Sequence, residues 1–172
     1  MGKVALSLSG VIFLGLFSSG CATVISKEVI NRANREISVS DVTKSPETYK
    51  GVSVVWGGEI VGATNRKEGT LLEILQKPVD YTLRPEKVDE SPGRFLAVHN
   101  GYLDVAIYEP GREVTVAGQI QGVRVLPLGE IEYTYPVIDV EEIHLWEPRK
   151  ETAEYPYGYY PHWYYSPHWW YW

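Results

Sequence analysis

The fold is decided by Gly51-Val52-Ser53-Val54-Val55-Trp56-Gly57-Gly58-Glu59-Ile60-Val61-Gly62 and by its echo sixty residues later. That echo reads Gly111-Arg112-Glu113-Val114-Thr115-Val116-Ala117-Gly118-Gln119-Ile120-Gln121-Gly122, and the two align without gaps. Five of the twelve positions are identical, three of them glycine. Alternating and β-branched residues make each copy a strand. A glycine inside a strand carries no side chain to pack and marks a bend or a close backbone approach. Gly58 and Gly118 are the expected bends. Two equivalent bent strands favour a small closed five-stranded barrel of the OB type with a short N-terminal helix; a β-sandwich is the alternative.

Working outward, the same reading places the other elements. Ser45-Pro46-Glu47 carries a helix start, with Ser at the N-cap, Pro at the first helical position and an acid in the first turn, and Gly51 ends a helix over about 46–49. Asn65 to Gly69 is a polar turn, and Thr70 to Gln76 is a second strand. Pro78 to Gly93 is a charged loop with three prolines. Arg94 to Val98 is a third strand, Glu113 to Ile120 a fourth, and Tyr133 to Trp146 contains a fifth with Ile138, Val140 and Ile143 on its core side. Glu141-Glu142 reads as a solvated acidic strand end, and His99 and His144 as strand histidines rather than bases.

Both ends of the chain are set apart. Residues 1–20 have one Lys near the start, an apolar run Val11 to Phe17, and small residues Ser18-Ser19-Gly20 before Cys21, the single cysteine. That is a signal peptide followed by a lipobox-like cysteine, and the apolar run is too short to span a bilayer. Cys21 is therefore the expected lipid attachment residue, diacylated on sulfur and N-acylated after cleavage. Ser18 stands where a lipobox usually has Leu. Ala22, in place of Asp, directs such a protein onward to an outer membrane. Residues 21–38 are the anchor and tether, 39–148 the barrel domain, and 149–172 a tail.

Half of the 22 aromatic residues lie between Tyr155 and Trp172. Pro156, Pro161 and Pro167 bar a continuous helix there, and no aliphatic residue is present to build a core. Pro-His-Trp occurs at 161–163 and again at 167–169. Tyr159, Tyr160, Trp163, Trp169, Trp170 and Trp172 suit a membrane–water interface, a stacked glycan or a partner protein. His162 and His168 offer two metal donors, too few for a defined site.

The composition excludes other classes. Net charge is −6, with no basic block, which disfavours a nucleic-acid partner. Removing Lys3 with the leader leaves 15 cationic against 22 acidic side chains, a net of −7. No nucleophile elbow or phosphate-binding loop is present, so no catalytic residue and no cofactor are expected.

In their order and spacing these pieces resemble the Slp family of outer-membrane lipoproteins of Gram-negative bacteria. The matching residues are Cys21, Ser45-Pro46 with Tyr49-Lys50-Gly51, Trp56 to Ile60, Asn65, Leu72-Glu73-Ile74, Lys77 to Asp80, Arg84-Pro85, Gly93-Arg94-Phe95, Asn100 to Asp104, Gly111 to Gly118, and Tyr133 with Tyr135-Pro136-Val137. The resemblance implies a protein lipid-anchored in the outer membrane, palmitate included, with a structural or interaction role in the envelope, stress-related, and no enzymatic activity. A periplasmic small-ligand or glycan-binding module is the other reading. An open barrel mouth would favour it, and an interior filled by side chains would favour the first.

Overall fold

A computed structural model describes residues 23–149 of the chain. Three short helices, α1 (Lys27–Arg32), α2 (Val39–Lys44) and α3 (Pro46–Tyr49), precede five strands. These are β1 (Ser53–Arg66), β2 (Gly69–Lys77), β3 (Arg94–His99), β4 (Glu113–Leu128) and β5 (Ile131–Leu145). The strands close into one barrel in the order β1-β2-β3-β5-β4, with β3 and β5 the parallel pair. This is the OB-like barrel expected from the glycine echo, not the sandwich.

The barrel is filled. Val54, Trp56, Ile60, Leu72, Ile74, Phe95, Val114, Val116, Ile120 and Ile138 are buried inside it. Trp56 meets Phe95 edge-on with centroids 5.0 Å apart, and its indole N–H donates to the Ile37 carbonyl at 2.7 Å. Of the three core residues expected on β5, Ile138 is fully buried, while Val140 and Ile143 pack against the core half-covered.

Both ends of the barrel are closed. At the C-terminal end of β2, α2 inserts Val39 and Val42, and the Val39 N–H donates to Gln76 Oε1 at 2.9 Å. At its N-terminal end, Leu103 from the β3–β4 connection packs inward, its N–H donating to Thr70 Oγ1 at 2.8 Å. The expected single short helix at 46–49 is joined by α2, whose signal also stands in the sequence. Ser38 and Asp41 form a capping box, with Asp41 N–H to Ser38 Oγ at 3.3 Å and Ser38 N–H to Asp41 Oδ2 at 3.0 Å. The Ser38 hydroxyl, donating to Asp41 Oδ2 at 2.6 Å, and then the Ser38 backbone N–H hold the Asp41 carboxyl below the usual carboxylate range. Helix α3 falls where the Ser45-Pro46 start put it, though the Ser45 hydroxyl makes no capping bond.

The sequence echo is a structural symmetry. Strands β1 and β4 pair antiparallel with Trp56 opposite Val116, so each strand maps onto the other about that pair. The flanking bonds match as well. Gly51 N–H donates to Ile120 O at 2.7 Å and Gly111 N–H to Ile60 O at 2.9 Å. Ile120 N–H donates to Val52 O at 3.0 Å and Ile60 N–H to Arg112 O at 2.9 Å.

The register breaks lie at equivalent places too. Val61 is the extra residue of β1 against β2, and Gln121 that of β4 against β5. Gly58 and Gly118 sit three residues earlier, and there the neighbouring strand approaches closely. A Cβ on Gly58 would lie 2.3 Å from the Leu75 carbonyl oxygen, and one on Gly118 2.0 Å from that of Asp139. The expected bends therefore divide into two devices, a close approach at the glycine and a bulge just beyond it. In β4 a further break falls at Gly118 itself, where Glu141 is the extra residue on β5.

Candidate functional site

The segment read as a tether is part of the packing from residue 23 onward. Helix α1 lies across the outer face of β1 and β4, where Ile25 and Val29 join Val55, Leu83 and Ala117 in a second apolar cluster. Two carboxylates on β5 pin it. Ser26 N–H donates to Glu142 Oε2 at 2.7 Å, and Arg32 Nη2 pairs with Glu141 Oε1 at 2.6 Å. Strict alternation would send residues 141 and 142 to opposite faces. The bulge at Glu141 cancels that alternation, so both acids reach the same helix. The pair expected as a solvated strand end is a fastening.

The 78–93 loop completes this face. Asp80 Oδ1 accepts from Thr82 N–H at 2.7 Å, Thr82 Oγ1 at 2.5 Å and Arg84 N–H at 3.0 Å, and the Thr82 hydroxyl leads in holding the Asp80 carboxyl below its ordinary range. The tight turn throws Leu83 to φ 72°, a left-handed conformation unfavourable for a branched side chain. Burial of its side chain and a 2.6 Å bond from Thr115 Oγ1 to its carbonyl hold it there.

Arg84 is the hub. Its Nε donates to Glu113 Oε2 at 2.7 Å and its Nη2 to the Glu147 carbonyl at 2.7 Å, while the guanidinium lies 5.2 Å from the Trp146 ring centre. Arg149 Nε also donates to Glu113 Oε1, at 2.9 Å, and its Nη2 to the Pro85 carbonyl. Two guanidiniums on one carboxylate offset the like-charge pairing of Glu113 with Glu59 across the ladder. The Trp146 indole N–H donates to Thr115 Oγ1 at 2.9 Å. His144 stacks edge-on to that indole at 4.6 Å, and burial, with Arg84 beside it, lowers its pKa.

Between α1, the loop and Trp146 lies a cavity of about 440 Å³. Val24, Ile30, Leu83 and Trp146 give it apolar walls, and Arg35 and Arg84 bring two guanidiniums. Tyr81 stands at its edge, 95% exposed. Thr23, the first described residue, and Trp146, just past the end of β5, both line it. No sequence signal marks this cavity, because its walls come from three segments separated by more than forty residues. His99 is apart from it, its Nδ1 3.3 Å from the Gly101 carbonyl. Cys21, the tail residues Tyr159, Tyr160, Trp163, Trp169, Trp170 and Trp172, and the histidines 162 and 168 lie outside the described residues.

Comparison with known proteins places this architecture. The model of the outer membrane lipoprotein Slp family matches residues 18–172. The lipoprotein YeaY of Escherichia coli K12 is 30% identical over 155 residues, covering 90% of this chain and 79% of that protein. The outer membrane protein Slp of the same strain is 29% identical over 151 residues, covering 87% and 78%. Among solved structures, a small single-stranded DNA-binding protein from Streptomyces coelicolor superposes with a TM-score of 0.35 at 15% identity, over 55% of this chain and 94% of that one.

Proposed function

The chain belongs to the Slp family and is a lipid-anchored protein of the outer membrane; we propose that Cys21 carries the lipid and that the barrel is a non-catalytic structural or interaction component of the envelope, engaged under stress. One observation carries the second part, the interior packed with Trp56, Phe95 and aliphatic side chains and closed at both ends. A barrel filled in this way offers its outer surface, not its mouth, to other molecules. The polar groups gathered near Glu113 are spent on each other and on backbone carbonyls, which supports a fastening role over chemistry. A small-ligand or glycan module is the second reading, and the cavity beside Trp146 is the place it would use.

The tail from Tyr155 to Trp172 belongs to the same proposal as a contact with membrane, through Tyr159, Tyr160, Trp163, Trp169, Trp170 and Trp172. The anchor is tested by Cys21→Ser with labelled palmitate. Uncleaved precursor without label is expected, and label that survives the substitution overturns the assignment. In-cell crosslinking of the acylated protein then separates the two readings. A defined envelope protein supports an interaction role, and capture of glycan fragments alone overturns it.

A further inference from the structure

The cavity beside Trp146 and the lipid attachment lie two residues apart. We propose that this cavity is a lipid-facing site that takes the phosphate head group of an anionic phospholipid, with the barrel seated directly on the bilayer. The inference rests on Cys21 carrying the lipid. From Cys21 to Thr23 an extended chain spans at most about 7 Å. Thr23 and Val24 already line the cavity. Beyond them there is no slack, because Ile25 and Val29 are buried and Glu141 and Glu142 hold α1 to β5. Acyl chains in the membrane therefore bring the cavity to the membrane surface.

The chemistry of the face fits that position. Its lining includes two guanidiniums and no carboxylate, in a chain whose mature net charge is −7. An acidic protein is repelled by an anionic leaflet except where such a face is turned toward it. Arg84 gives Nε to Glu113 and Nη2 to the Glu147 carbonyl, so the guanidinium left to meet a phosphate is chiefly that of Arg35, which forms no ion pair among the described residues. Guanidiniums match phosphate oxygens geometrically. Val24, Ile30 and Leu83 offer apolar walls to the glycerol and upper acyl carbons. A phenol ring 95% exposed at the edge, Tyr81, is placed as interfacial aromatics are. The volume of about 440 Å³ lies within the range of small-ligand sites.

The test uses the full acylated protein, in which a thiol introduced by Tyr81→Cys is the one free sulfhydryl. A spin label there is read in phosphatidylcholine vesicles with and without phosphatidylglycerol. A second protein carries the label at Ile131→Cys, at the opposite end of β5. The expected result is several-fold greater access to oxygen, relative to a water-soluble nickel reagent, at 81 than at 131. Arg35→Glu should reduce this contrast with phosphatidylglycerol present and leave it unchanged without; Arg35→Lys should preserve it. Equal, water-like access at both positions in protein that stays on the vesicles overturns the seating while leaving the anchor standing. Indifference to Arg35→Glu and to phosphatidylglycerol overturns the head-group site. So does a response of the vesicle-free protein to inorganic phosphate alone. Loss of the protein from vesicles overturns the anchor, and the inference with it.

Discussion

One hydroxyl joins three distant parts of the chain. Thr115 Oγ1 accepts from the Trp146 indole and donates to the Leu83 carbonyl, fully buried between them. Thr115→Val keeps the shape and deletes both bonds, leaving the half-buried Trp146 indole N–H and the carbonyl of buried Leu83 unpaired. The expected loss is about 2 kcal/mol or more in denaturant unfolding, with Thr115→Ser restoring most of it. A valine variant as stable as the parent would mean that water satisfies both groups. None of this was legible beforehand. Thr115 reads as an ordinary strand residue, and Leu83 as one more loop position, because their partners are supplied by folding. Glu141 and Glu142 escaped for a related reason. Alternation predicts where strand side chains point only while the ladder stays in register, and a bulge breaks it at that spot.

Strands were more readable than the helices packed on them. The echo located β1 and β4 and the closure they make, since its glycines mark places where a neighbouring backbone takes up the room of a side chain. Gly58→Val and Gly118→Val should each lower stability by at least about 2 kcal/mol in thermal or denaturant unfolding, because the opposing atom is a carbonyl oxygen that cannot swing aside. Gly62→Ala is the matched control, with no atom within 4 Å of the added carbon. It should change stability little, and equal damage from all three would detach the effect from close approach. Strand ends were underestimated, β4 running on to Leu128 instead of stopping near Ile120. Its outer half carries Val123, Val125, Leu126 and Leu128 but has only β5 beside it and buries none of them fully, so its side chains show no inside–outside alternation to read. Helix α1 was read as a tether because six residues with a single buried valine show no helical period; its stability comes from the sheet beneath.

At the scale of the molecule, the tail and the barrel are separable. The barrel closes its own core within residues 23–149, so deleting 155–172 from the unacylated chain should leave the melting curve unchanged. It should also abolish vesicle binding. Unfolding of the truncated chain, or indifference of the full chain to vesicles at both pH 5.5 and pH 8, would assign the tail another task. The Cys21 motif and the ring-rich composition of 155–172 stand in the sequence itself, whereas the cavity beside Trp146 exists only once the barrel has closed. The packing of α1 beside that cavity has a mechanical meaning. A pull applied at Thr23 enters α1, which Glu141 and Glu142 tie to β5 and which Ile25 and Val29 seat on Val55 of β1 and Ala117 of β4. Force entering there is spread over three strands of the closed barrel, and no single contact bears it.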